Sequence, residues 1–171
     1  MFGRILKKDL KRNKTMNIRK AEERDIPRLN DLLYQVHLVH ANGRPDIFRK
    51  GNKKYTDDEL RVILADDETP VFVAVDENDT AMGYVFCILQ CVKDSIPLMD
   101  RKTLYIDDLC VDEALRGCHI GSALYRFTLE EAKRRSCDAV TLNVWQCNES
   151  ALRFYEACGM KPLKTVMEQQ L

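Results

Sequence analysis

The sequence predicts an α/β domain built on one mixed sheet with helices on both faces. Three observations carry that reading. Short apolar and β-branched runs bounded by turn residues recur along the chain, the clearest being residues 71–75, Val-Phe-Val-Ala-Val. Elsewhere apolar residues return at helical spacing, as at Ala151, Phe154, Tyr155 and Cys158. Strand and helix patterns alternate in the second half while hairpins dominate the first, and that mixture needs parallel as well as antiparallel pairing, with helices on both faces. A chain of 171 residues is the length of one domain.

Residues 16–20 read as a first strand. Pro27 suits a first helical turn. Ile26, Leu29, Leu33 and Val36 carry that helix to about residue 41, where Asn42-Gly43-Arg44-Pro45 stops it. Thr56 and Glu59 form a Thr-x-x-Glu capping box opening a short helix to about residue 65. Pro70 precedes strand 71–75; the turn 76–80 follows, and 82–91 returns as its hairpin partner. Residues 104–111 form another strand. Ile120, Ala123, Leu124 and Phe127 mark a helix to about residue 135, and 140–144 a further strand. The stripe from Ala151 to Cys158 is a helix closed by Gly159, and 160–168 reads as a last strand. The predicted order is β-α-α-β-β-β-α-β-α-β.

Composition narrows the function. Lys+Arg and Asp+Glu number 27 each, and this balance argues against nucleic acid as the main partner. The balance hides an asymmetry: residues 1–15 hold six bases and one acid, leaving 21 bases and 26 acids in 16–171. Residues 1–15 read as a basic appendage, disordered or partly helical, and 16–171 as the single domain. No apolar run approaches the roughly 20 residues of a bilayer span, and no apolar stretch follows the basic N-terminus as in a secretory signal. No membrane partner is expected. Seven cysteines, an odd number without a Cys-x-x-Cys pair, read as reduced thiols in a cytoplasmic protein. His37 and His40 share a helix but lack an evident third ligand, so no metal is expected.

The most informative stretch runs from residue 104 to 124. A strand ends at Val111, a turn carries Arg116, Gly117 and Gly121, and an amphipathic helix begins at once. Unpaired amides at a helix start, with the helix dipole behind them, favour an anion, and glycine lets a ligand approach the backbone. The spacing here, Leu109-Cys110-Val111 followed by Arg116-Gly117-Cys118-His119-Ile120-Gly121-Ser122, resembles the signature of the GNAT family, the GCN5-related N-acetyltransferases that use acetyl-CoA. The segment from Asn148 through Ala151, Phe154 and Tyr155 to Gly159 is similar to the family's second signature, Asn-x-x-Ala-x-x-Phe-Tyr-x-x-x-Gly. The resemblance covers residues 16–171. One departure is His119, which stands where the family usually has the loop's first glycine; its backbone is expected to adopt a helix-start conformation that needs no glycine.

The resemblance implies the GNAT fold, acetyl-CoA as co-substrate, and direct attack of an amine on the thioester in a ternary complex. It implies that the backbone of Leu109, Cys110 and Val111 pairs with the pantetheine arm. The amides of Arg116, Gly117, Cys118, His119, Ile120, Gly121 and Ser122 would hold the pyrophosphate. Asn148 would contact the cofactor arm, and Tyr155 would sit beside the sulfur as general acid, its reference pKa of about 10 being close to that of the thiol it serves. Asp107 and Asp108 resemble the acidic pair of polyamine acetyltransferases. Alternation puts successive strand residues on opposite faces, so only one faces a given pocket. Parity does not choose between them; Asp108 is preferred as the base, acting directly or through water. His37, His40, Asp107 and the loop 44–48 are candidates for the acceptor side. Trp145 and Cys147 read as packing residues.

The predicted function is acetyl transfer to a primary amine, a small molecule being favoured by the acidic body. The alternatives are a protein N-terminus or lysine as acceptor and, in another class, a CoA-binding module with little turnover. A homodimer through the last strand is a further expectation.

Overall fold

A computed structural model describes residues 16–51 and 53–171, so the expectation for the basic segment 1–15 lies outside the described residues. Five strands form one sheet in chain order: β1 (Asn17–Lys20), β2 (Val71–Val75), β3 (Ala81–Val92), β4 (Arg101–Val111) and β5 (Ala139–Leu142). The first four pair antiparallel, and β5 runs parallel to β4. Helices α1 (Ile26–Gly43) and α2 (Asp57–Ala65) cover one face, and α3 (Ile120–Arg134) with α4 (Glu149–Ala157) the other.

Local chemistry accounts for most of these elements. Pro27 occupies the first turn of α1, and Thr56 and Glu59 exchange the reciprocal bonds of a capping box at the start of α2. Gly159, at φ +90°, closes α4. All five residues of β2 are buried because the strand is central and covered on both sides. Leu29, Leu33 and Leu60 meet Val73 and Tyr84 on the α1–α2 face, while Leu124 and Tyr125 meet Val85, Leu104 and Ile106 on the other.

Two boundaries depart from the sequence reading. The β5 ladder stops at Leu142, so Asn143 and Val144 leave the sheet. Residues 160–171 form no strand among the described residues. Pro162 removes a ladder donor, and Met160, Leu163 and Val166 recur every third residue instead of every second, so no single sheet face could bury them. The segment instead reaches the end of α1, where Glu168 pairs with Arg44 at 2.7 Å and Gln170 donates to Asp46 at 3.2 Å. The dimer expected through that strand therefore loses its structural basis.

Candidate active site

The site forms where β4 and β5 part. Their ladder runs only from Thr103–Ala139 to Ile106–Leu142, yet β4 continues to Val111. Among the described residues, 107–111 thus have no ladder partner on the β5 side, and backbone groups there are open to an extended ligand. A cavity of about 550 Å³ fills the gap. It is lined by Ile106, Asp107, Asp108 and Leu109 of β4, by Leu142 at the end of the ladder and Asn143 to Trp145 beyond it, by Asn148, Ala151 and Tyr155 of α4 with its cap, and by Leu33, Val36, His37 and His40 of α1. Phe48, Lys54 and Tyr105 complete the wall, with Val166 from the C-terminal segment.

Asp107 and Asp108 do not obey simple alternation. Phe86 lies opposite Asp108 and Cys87 opposite Ile106, which leaves Asp107 as the extra residue of a β-bulge. The bulge turns both carboxylates to the same side. Lys54 Nζ donates to Asp107 Oδ2 at 2.9 Å and to Asp108 Oδ2 at 3.2 Å. The expectation that only one aspartate faces the pocket is therefore overturned by the register between β3 and β4. Tyr55 also donates its hydroxyl to Asp107, at 3.1 Å, and its ring lies 5.2 Å from the Lys54 ammonium.

The electrostatics separate these groups. Burial pushes the Asp108 carboxyl up, with Lys54 pulling it back. The Lys54 ammonium is held above its ordinary range, because the two carboxylates outweigh its own burial. Burial lowers His40, opposed by the Asp108 charge. Burial raises the Tyr155 phenol, and Asp108 adds to the effect, so the hydroxyl keeps its proton. Below the pair, Tyr84 is fully buried and its hydroxyl has no hydrogen-bond partner among the described residues; burial first and Asp108 second hold it well above the usual phenol range.

The loop before α3 lies beyond the cavity wall. The first helical bond of α3 runs from Ala123 N–H to His119 C=O, so the amides of residues 119–122 have no helical acceptor and no side chain caps the helix, whereas Cys118 N–H already donates to the Leu115 carbonyl at 3.3 Å. His119 takes a left-handed conformation at φ +62°, and Gly117 another at φ +82°. The expected helix-start backbone at His119 is therefore not the observed one: the position favours glycine, and histidine occupies it at a cost of about 1–2 kcal/mol. Gly121 is not in the left-handed region. A Cβ there would meet the Phe154 ring at 3.5 Å and Val111 Cγ2 at 3.6 Å, ordinary van der Waals contact, so this glycine faces α4 and β4 with room for a small side chain.

The other predicted residues divide between backbone and side-chain roles. Cys110 buries its thiol in the α1 face, 3.4 Å from the Leu32 carbonyl, leaving only its backbone toward β5. Asn148 caps α4, its Oδ1 accepting from Ala151 N–H at 3.1 Å, and the rest of its amide lines the cavity. His37 sits 2.6 Å from the Arg49 carbonyl through Nε2. His40, Phe48 and Trp145 build an aromatic wall, with ring centroids 5.3 Å apart for His40–Phe48 and 5.1 Å for Phe48–Trp145. Lys54, Tyr55, Tyr84 and Tyr105 escaped the sequence reading, because nothing in their local pattern marks residues that meet only in the folded sheet. Among the described residues, no group of three or more His, Cys, Asp or Glu side chains could hold a metal ion. No helix among them is long and apolar enough to cross a membrane.

Comparison with known proteins agrees with this geometry. The model of the acetyltransferase (GNAT) family matches residues 38–160. An uncharacterized N-acetyltransferase of Methanocaldococcus jannaschii is 27% identical over 153 residues, covering 90% of this chain and 64% of its own length. A peptidyl-lysine N-acetyltransferase of Escherichia coli is 31% identical over 94 residues, covering 55% of this chain and 51% of its own. The chain thus spans about half to two-thirds of these relatives. The crystal structure of a mutant Bacillus halodurans protein superposes with a TM-score of 0.88 at 33% identity, covering 91% of this chain and 99% of that one. With a sheet that splits beside an uncapped helix start, and a family match over most of its length, the chain belongs to the GNAT acetyltransferase family.

Proposed function

We propose that this protein moves an acetyl group from acetyl-CoA to a primary amine by direct attack, with a small cationic amine as the preferred acceptor. The carrying observation is the acidic pair on the β4 bulge, set in one cavity with Tyr155 where β4 leaves β5. The residues fit the co-substrate. The free β4 edge over residues 107–111 can pair with an extended pantetheine arm, and the uncapped start of α3 offers amides and a positive dipole end to a diphosphate. Acetyl-CoA supplies the activated acyl group as a thioester.

This chain's residues then handle protons. An attacking amine must be neutral. Asp108, its carboxyl raised by burial, accepts the ammonium proton directly or through a water. Tyr155 retains its phenolic proton and donates it toward the departing sulfur. Asn148 and the amides from Arg116 to Ser122 orient the donor, while His37, His40 and Asp107 face the acceptor. The two carboxylates beside an aromatic wall of His40, Phe48 and Trp145 suit a small cationic amine. The Escherichia coli relative, named for peptidyl-lysine, supports the second reading, a lysine side chain as acceptor.

A thiol-release assay with acetyl-CoA and a panel of polyamines, aminoglycosides, amino acids and lysine peptides tests the proposal. Acceptor-dependent release is expected, strongest with small amines. Silence across the panel while acetyl-CoA binds by calorimetry would leave a CoA-binding module.

A further inference from the structure

The acceptor cavity already contains an alkylammonium, and the chain supplies it. Lys54 belongs to the loop between α1 and α2, yet its Nζ lies between Asp107 and Asp108 at 2.9 and 3.2 Å. The Tyr55 ring stands 5.2 Å from the same nitrogen. Two carboxylates and an aromatic face are the groups that would recognise the protonated amine of a substrate. Lys53, its neighbour, is instead an exposed residue 3.6 Å from Asp57.

We propose that Lys54 is a tethered occupant of the acceptor's ammonium seat, which a free primary alkylamine must displace before it can react. This rests on the reading of the cavity as an acetyl-acceptor site and adds its regulation. The groups facing the seat are consistent with exchange of one ammonium for another. Asp107 and Asp108 come from β4, the Tyr55 hydroxyl donates to Asp107, and neutral His40 faces them from α1. The Lys54 side chain is still about one-third exposed, so it has a way out to solvent. A lysine arm that fits the seat also specifies the ligand class: an unbranched alkylammonium.

The self-occupied seat weakens apparent affinity by the fraction of time it is open. Calorimetry with 1,4-diaminobutane therefore tests the proposal without any turnover. Lys54→Met should bind it about tenfold more tightly if Lys54 occupies the seat about nine-tenths of the time. Lys53→Met, which makes the same charge change outside the seat, should bind like the unaltered protein. In the thiol-release assay the acceptor KM of Lys54→Met should fall by a similar factor. Lys54→Gln repeats the test should the methionine variant melt early. Equal or weaker diamine binding by both Lys54 variants, or no binding by any form, would overturn the proposal. Failure of the acetyltransferase reading shows differently, as absence of acetyl-CoA-dependent release with every amine whatever the diamine affinities.

Discussion

Replacing Tyr155 by phenylalanine isolates one oxygen atom. The Tyr155 ring packs against Phe154 at 5.1 Å and Tyr125 at 6.3 Å between centroids, and phenylalanine keeps both contacts. Its hydroxyl makes no hydrogen bond among the described residues, so the substitution leaves no protein partner orphaned. Stability should therefore change by less than about 1 kcal/mol, which in a domain of this size moves Tm by no more than roughly 2–4 °C. The proposed role of the hydroxyl as proton donor sets a second, larger effect. A positioned general acid contributes about 10²- to 10⁴-fold, equivalent to about 3–5.5 kcal/mol of barrier. Steady-state thiol release should show kcat lower by that factor, while calorimetry shows little change in acetyl-CoA affinity. Full turnover in Tyr155→Phe would remove the tyrosine from the proton path. A large drop in Tm would instead mean that the hydroxyl holds the fold.

The remaining predictions concern the base, the loop and the strand beneath the site. As the proposed base, Asp108 must be ionised to accept a proton, and burial raises its pKa above the ordinary value of about 3.9. Turnover should therefore fall as pH drops through a limb above that value, and Asp108→Asn should abolish the limb and lower kcat about 10²- to 10⁴-fold. An unchanged pH–rate profile in that variant would place the base elsewhere. At Gly117 the left-handed backbone penalises a β-branched side chain, so Gly117→Val should weaken acetyl-CoA binding by calorimetry, whereas Gly121→Ala, with contacts of 3.5–3.6 Å, should bind normally. A Cβ at Gly83 would come within 2.7 Å of the Cys110 carbonyl oxygen, so Gly83→Ala should destabilise by about 1–3 kcal/mol, read as a lower midpoint in thermal unfolding.

The elements of this protein were legible where their causes are local. Pro27, the Thr56–Glu59 box and the helical stripe at Ala151, Phe154, Tyr155 and Cys158 act within a few residues, and each forms the element it predicts. The paired signatures around Arg116–Gly121 and Asn148–Tyr155 likewise identified the family, because they encode a strand-to-helix turn and a capped helix. The last strand failed for a reason also present in the sequence, since Pro162 and a period of three contradict a ladder, but apolar content alone suggested one.

Only the tertiary structure decided how the candidate site is assembled. That Asp107 and Asp108 share a side depends on which β3 residues lie opposite them, and pairing register belongs to two strands at once. Lys54 reaches the pair across 53 positions of chain, a contact with no local signature. The left-handed turn at His119 is held by the strand on one side and the helix on the other, against the preference of its own side chain. The sequence by itself thus determined most of the elements and pointed to the family, through short-range periodicity, capping and the two signatures. The tertiary structure decided which charges meet, because ion pairs between distant residues form only after the sheet register and the loop path are set.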